Sequence, residues 1–377
     1  MHQKTVQQTL LMLYFLLSYN GVEGQKKLSK LEDAELEKQL KSLNKPAVKI
    51  VKMKPTLSRI KKDSTFSSGT NRSSSTIWSK DGGCPFGTIP VKRITRDDLI
   101  RLRRMPPPED VTFEDEYDVS NNDSEPNGRY ISSQGYKVVA IVGLPYNPNS
   151  KFAGAGMDTV LYNPQVNGQQ HGGSRLKIQK GLDILQVGWR VDPTLYGDTD
   201  TRFFIHFQAG KIHCFNTLCP SFVQVNYDVP LDSSFMDTIS QRGGKHWGAE
   251  VYIDRDLAGN WWLLVSQNFT RVGFWPQSLF TDLKSFATNV DWGGVVYSPP
   301  GVPEPPMGSS YFPIEDTSYD AYCTDLIIVN EKGKIIQVDK AITHTDNPYK
   351  VEFIQLSYGA KHKYFILYGG PGESTHV

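Results

Sequence analysis

The chain predicts an all-β protein, an antiparallel β-sandwich preceded by a small, partly helical segment. From about Tyr130 onward, short runs of β-branched and aromatic residues alternate with turns rich in Gly, Pro, Asn and Asp. The runs are Tyr136 to Val142, Arg202 to Phe207, Ser221 to Asn226, Glu250 to Asp254, Asn260 to Ser266, Lys334 to Asp339 and Lys363 to Tyr368. Turns such as Asp256 to Asn260 and Glu331 to Gly333 separate them. The helices that a parallel sheet would need between strands are missing, which leaves a sandwich or barrel. Only Leu279 to Ala287 reads as a short helix in this region.

Upstream elements follow in chain order. Lys4, the apolar run Leu10 to Leu17 and the exit Val22-Glu23-Gly24 read as a signal peptide over residues 1–24. The run is far shorter than the ~20 apolar residues that span a bilayer. Residues 27–44 predict one amphipathic helix, with Leu28, Leu31, Leu36, Leu40 and Leu43 as its stripe and Pro46 as its stop. Ser64 to Ser75 is a Ser/Thr/Gly-rich connector. A compact tract from Cys84 to Arg93 leads into a helical run from Asp97 to Arg104, which Pro106-Pro107-Pro108 breaks. Residues 106–129 carry an acidic run from Glu109 to Glu125 with almost no apolar periodicity. They are expected to be an exposed linker, open to proteases.

Composition narrows the function classes. With 377 residues and a formal charge of +1, the chain gives no case for nucleic acid or an anionic membrane as partner. No later segment is long and apolar enough to span a membrane, so a secreted, extracellular protein is expected. In that compartment Cys214 and Cys219 bracket a short loop and are expected to form a disulfide, while pairing of Cys84 with Cys323 stays open. Asn71, Asn122 and Asn268 open N-x-S/T triplets that fit surface glycosylation. His206, His213 and His246 lack metal-ligand spacing, and their default reading is strand or surface histidine. No G-x-S-x-G elbow is present, and Gly369-Gly370-Pro371-Gly372 reads as a turn rather than a phosphate cradle. No metal and no cofactor is expected.

Two tracts carry a family resemblance: Ile184-Leu185-Gln186-Val187-Gly188-Trp189 and Asp291-Trp292-Gly293-Gly294-Val295. They resemble stretches of the neprosin family, secreted glutamic peptidases that cut beside proline and carry an N-terminal activation peptide. Leu40 to Lys49 and Cys84 to Val91 resemble activation-peptide elements of that family. Trp189 to Asp198, Cys214 to Pro220, Gly259 to Leu263, Trp275 to Phe280, Met307 to Ser309 and Tyr368 to Gly372 follow in family order. The resemblance implies an activation-peptide-like segment at 25–105, the linker at 106–129 and a neprosin-like sandwich at 130–377. Two departures touch the family's disulfides: the activation segment is short, and Asp346 to Tyr349 lacks a cysteine often found there.

The resemblance also implies a pair of catalytic glutamates, one a general base on water and one a proton or hydrogen-bond donor to the developing oxyanion. Their positions hold Gln186 and Val295. A glutamine keeps an amide donor but exchanges no proton, and a valine does neither, so the expectation is a catalytically impaired homologue that retains a peptide-binding groove, a pseudoenzyme. Trp189, Trp292, Gly293 and Gly294 adjoin these positions and are expected to flank a groove for proline-containing peptides or cell-wall proteins. Three carboxylates qualify as replacements: Asp183, Glu250 and Asp291. The plain expectation for each is a solvated strand-end or turn residue, and Asp291 lies about 13 Å along its strand from Val295. Two other readings stay open: an active proline-directed endopeptidase using such displaced carboxylates, and an extracellular-matrix or carbohydrate-contacting structural protein.

Overall fold

In a computed structural model of the chain, the described residues are 30–44, 93–106, 108–109, 112–115, 128–131, 136–144, 147, 149–226, 228–358 and 361–373. The expected signal peptide, Asn71, Asn122, Cys84, the Ser/Thr-rich connector and most of the acidic linker lie outside them. The chain divides into two compact units, Met1–Lys45 and Pro46–Val377.

The first unit contains one helix, α1 (Lys30–Leu43), with Glu32 and Asp33 in its first turn and Lys41 in its last, matching the helix dipole. Leu36 is fully buried but Leu31 is 84% exposed, so the expected stripe loses that member. Five residues at ~100° each turn Leu31 about 140° away from Leu36, whereas Leu40 and Leu43 stay near its face.

The second unit begins with α2 (Arg96–Leu102), which a capping box starts: Asp98 N–H donates to the Thr95 side chain, and Thr95 N–H donates to Asp98. Its strands begin with β1 (Thr112–Asp115), β2 (Gly128–Ile131), β3 (Tyr136–Gly143), β4 (Phe152–Val160), β5 (His171–Lys180) and β6 (Asp183–Val191). A short helix α3 (Pro193–Tyr196) precedes β7 (Thr201–Ala209), β8 (Ile212–Phe215), β9 (Val223–Gln224), β10 (Gly248–Arg255), β11 (Trp261–Val265) and β12 (Thr270–Trp275). The remainder are β13 (Asn289–Tyr297), β14 (Met307–Gly308), β15 (Ala321–Asn330), β16 (Ile335–Gln337), β17 (Ile342–His344), β18 (Lys350–Tyr358) and β19 (Lys361–Gly370).

The all-β expectation holds. A ten-stranded sheet runs β14-β19-β15-β4-β10-β11-β12-β9, with β16 beside β15 and β18 beside β19, and a seven-stranded sheet runs β17-β3-β13-β5-β6-β7-β8. Every registered pair is antiparallel. A single large core lies between the sheets. Leu176 and Ile178 enter it from β5, Leu185, Val187 and Trp189 from β6, and Val290, Trp292 and Val296 from β13. Met157, Val251, Ile253 and Trp261 meet them from the other sheet.

The strand-like runs of the sequence correspond to β3, β7, β9, β10, β11, β16 and β19, and among the strands they miss are the central ones β4, β5, β6 and β13. All nine residues of β4 and all nine of β6 are buried; β4 shows no regular alternation of polar and apolar residues, whereas β5 and β6 alternate although both of their faces are covered. The expected helix at Leu279 to Ala287 is absent; only Gln277–Leu279 forms a 3-10 turn. Buried Asp183 explains this, because its Oδ2 accepts the backbone N–H groups of Thr281, Asp282 and Leu283 at 2.7, 2.6 and 3.0 Å. Three successive N–H groups aimed at one carboxylate fix an anion-binding turn rather than helix.

Candidate functional site

Alternation along the strands sends the partners of the core residues to the outer face of the seven-stranded sheet. Cross-strand register lines them up in rows. One row reads Asp291, Lys177, Gln186, His206 and Phe215 across β13, β5, β6, β7 and β8. The next reads Gly293, Arg175, Gly188 and Phe204, and a third Val295, Gly173, Arg190 and Arg202. Arg175 therefore lies between two glycines. A Cβ on Gly188 would sit 2.0 Å from the Ser174 carbonyl oxygen, and Gly293 has φ 137°, where side chains are rarely tolerated. Neither neighbour obstructs the guanidinium.

That guanidinium organises the site. Arg175 Nη2 donates to Glu109 Oε1 at 2.6 Å and Nε to Glu109 Oε2 at 3.2 Å, while Nη1 donates to Asp291 Oδ1. Lys177 Nζ lies 3.2 Å from Asp291 Oδ2. Gln186 Nε2 donates to Glu109 Oε2 at 2.9 Å. Because a carboxylate only accepts, the amide must present its nitrogen there. Arg175 and Gln186 are each 2% exposed, Asp291 and Lys177 1%, and Glu109 5%.

Burial alone would raise the Glu109 pKa; the charges of Arg175 and Lys177 and the hydrogen bonds from Arg175 and Gln186 outweigh it and hold it at about 2. The same pairing, with Asp291 as well, raises Arg175 above its ordinary value against the opposing effect of burial. His206 is pushed down to about 3, first by burial and then by His213 and Arg190, with Glu109 opposing. Neither His206 ring nitrogen has a hydrogen-bond partner among the described residues. Its ring packs 4.4 Å from that of Phe215 and 5.8 Å from that of His213, so two of the histidines read as scattered are neighbours on this face.

Glu109 reaches the site from the segment after α2. Arg101 donates to the Leu195 carbonyl at 3.5 Å, and Gln169 Nε2 to the Arg104 carbonyl at 3.2 Å. Leu102 and Met105 pack on Leu195, Tyr196, Phe204 and Phe215. The receiving surface is itself fixed: Asp192 caps α3 by accepting from the Thr194 and Leu195 N–H groups and pairs with Arg190. Pro106 is buried as well. The expectation of an exposed linker therefore fails at Pro106 and at Glu109, because a paired carboxylate and an apolar seat compensate for lost water.

The sequence-based candidates divide by strand parity. Gln186, Val295 and Gly293 lie on the outer face. Trp189 and Trp292 do not flank a groove: both are fully buried between the sheets, with Trp189 Nε1 donating to the Val160 carbonyl at 3.0 Å and Trp292 Nε1 to that of Gly156 at 3.2 Å. Gly294 also faces inward, where a Cβ would meet Met307 and the Tyr368 ring at 2.6 Å. Val295 packs with Tyr297 in a small apolar cluster. Gln186 and Val295 are two strands and four register positions apart, roughly 16 Å along the sheet surface.

The three replacement carboxylates are buried rather than solvated, at 1% exposure for Asp183 and Asp291 and 4% for Glu250. Asp183 is committed to its turn. Glu250 lies beside Asp158 on the outer face of the ten-stranded sheet, across the core from Gln186. Only Asp291 shares the row of Gln186. The Cys214–Cys219 disulfide is formed, Cys323 is a buried free thiol, and Asn268 is exposed in the β11–β12 turn. Among the described residues no helix is long and apolar enough to cross a membrane.

Sequence reasoning missed Glu109, Arg175 and Lys177 as site residues. A signal existed for two of them: Arg175-Leu176-Lys177-Ile178-Gln179 alternates charged or polar with apolar residues, the mark of a strand with one polar face. Glu109 gave none, since its burial depends on long-range contacts.

The solved structures similar to this chain include two peptidases. One is a scytalidoglutamic peptidase with a peptide-based transition-state analogue; the other is SCP-B, a member of the eqolisin family of peptidases, in complex with the tripeptide Ala-Ile-His. Each is 8% identical, covers 63% of this chain and 98% of its own, and has a TM-score of 0.31. The family model for neprosin matches residues 168–371, more than half of the chain and every strand that carries the rows around Gln186. On that match, the chain belongs to the neprosin family.

Proposed function

We propose that this protein is a secreted, peptide-binding neprosin homologue with impaired catalysis, whose groove is the outer face of the seven-stranded sheet. The observation that carries the reading is the state of the polar groups around Gln186. The positions that the sequence resemblance assigns to the family's two glutamates, 186 and 295, hold an amide and an aliphatic side chain, and neither exchanges a proton. The nearby carboxylates, Glu109 and Asp291, are each tied to Arg175. Glu109, held at about pKa 2, is neither a proton donor nor an effective base at neutral pH. Secretion is supported by the disulfide, which persists in oxidising compartments, and by the signal-like N-terminal sequence.

One observation favours a second reading, residual peptidase activity. Asp291 stands two strands across from Gln186 in the same row, close to 10 Å between backbones. An amide donor and a carboxylate base could bracket a peptide carbonyl once Glu109 leaves. Trp189 and Trp292, which are fully buried, lend no support to the carbohydrate-contact reading.

The full-length chain and its Glu109→Ala variant, incubated with proline-containing peptides between pH 3 and 7, separate these readings. Binding without cleavage is the expected result. Turnover that Asp291→Asn abolishes would overturn the impaired reading in favour of the displaced carboxylate.

A further inference from the structure

Resting on the peptide-groove reading, we infer that Arg175 and Gln186 form a carboxylate-specific subsite that recognises a glutamate following proline in a bound peptide. Glu109, with Pro106-Pro107-Pro108 before it in sequence, is the internal occupant of that subsite.

Three N–H donors converge on the Glu109 carboxylate: Arg175 Nη2 and Nε at 2.6 and 3.2 Å, and Gln186 Nε2 at 2.9 Å. A guanidinium fork that takes both oxygens reads a planar acid and not merely a charge. Both donor side chains are almost completely buried, so the site is built rather than a surface coincidence.

Charge counting points the same way. Arg175 and Lys177 stand against Asp291 and Glu109, two cations against two anions, and the group is neutral. Removing Glu109 leaves one buried positive charge uncompensated, which a single carboxylate from a ligand restores. A glutamine or lysine in the ligand does not.

The residue at 186 decides the specificity. A glutamate there, as the family resemblance implies, would set like charges about 3 Å apart across the subsite and repel an acidic ligand. The glutamine turns its amide nitrogen toward the acid and donates. The same replacement that removes proton transfer therefore creates acid recognition. A proline tract before the acid enters extended and preorganised, which lowers the entropy lost on binding.

The test uses the full-length Glu109→Ala chain, which vacates the subsite, and three probes titrated by calorimetry. These are a capped, amidated tetrapeptide of three prolines and a glutamate, its glutamine counterpart, and triproline with a free C-terminal carboxylate. The glutamate peptide should bind at least about ten-fold tighter than the glutamine peptide. Adding Gln186→Glu should abolish that preference without weakening the glutamine peptide. Equal affinity of the first two probes overturns the subsite and leaves the groove reading standing. Triproline acid binding as tightly as the glutamate peptide overturns side-chain recognition in favour of a chain terminus. Binding of no probe sinks the groove reading, and the intact chain then decides the subsite. Gln186→Glu should speed amide hydrogen exchange in residues 101–109 by about ten-fold or more, and combining it with Glu109→Gln should restore protection. Unchanged exchange in the single variant overturns the subsite.

Discussion

Replacing Glu109 with glutamine keeps the shape of the side chain and removes its charge, so it isolates the electrostatic part of the clasp. The depression of the Glu109 pKa from 4.5 to about 2 converts at 1.36 kcal/mol per unit to about 3 kcal/mol of folded-state stability at neutral pH. The folded pKa is below the unfolded one, so this contribution is fully present above about pH 4.5. It fades as pH falls through about 2. The stability difference between wild type and variant should thus be near 3 kcal/mol at pH 7 and 6, smaller at pH 3.5 and smallest at pH 2. Urea unfolding followed by tryptophan fluorescence measures it, since Trp189, Trp261 and Trp292 are fully buried and report loss of the core. Titrations common to both chains cancel in the difference. A difference that stays flat across this range, or grows on acidification, would refute the reasoning.

Arg175→Met should lower stability by about 3–5 kcal/mol at pH 7, because Glu109 and Asp291 keep their burial and lose their shared cation. Without the guanidinium the folded pKa of Glu109 rises, so the destabilisation should shrink on acidification, and a thermal-unfolding series from pH 7 to 4 checks the sign. Trp189→Ala should cost about 3–5 kcal/mol through the cavity it opens, with little change in binding of ligands on the outer face. Denaturant midpoints and calorimetric titration together separate those effects. Gly188→Ala should cost about 1–3 kcal/mol by forcing β5 and β6 apart, and chemical unfolding will show it. A neutral result there would mean that the strand pair yields easily.

Much of the fold was legible in the sequence because turns and β-branched runs alternate on a short rhythm, and the partition of Cys214 with Cys219 followed from spacing. The strands that hold the site were the least legible, for a physical reason. In β6 the core side is Leu185, Val187 and Trp189, while the other side, Gln186, Gly188 and Arg190, is also covered. The residues alternate in type, but with both faces buried that alternation does not say which side meets solvent. The same reasoning explains the misplaced tryptophans: adjacency in sequence to Gln186 and to Gly293 puts Trp189 and Trp292 on the opposite side of the sheet. Distances to the acidic segment were invisible, since nothing local to Glu109 announces an arginine 66 positions away.

Alternation along β6 has one more consequence. Odd-numbered side chains enter the space between the two layers and even-numbered ones face the other way, so two different sets of neighbours are interleaved along one strand. A substitution at an even position of β6 therefore changes the partners of Glu109 and its surroundings while leaving the side chains packed between the sheets as they are.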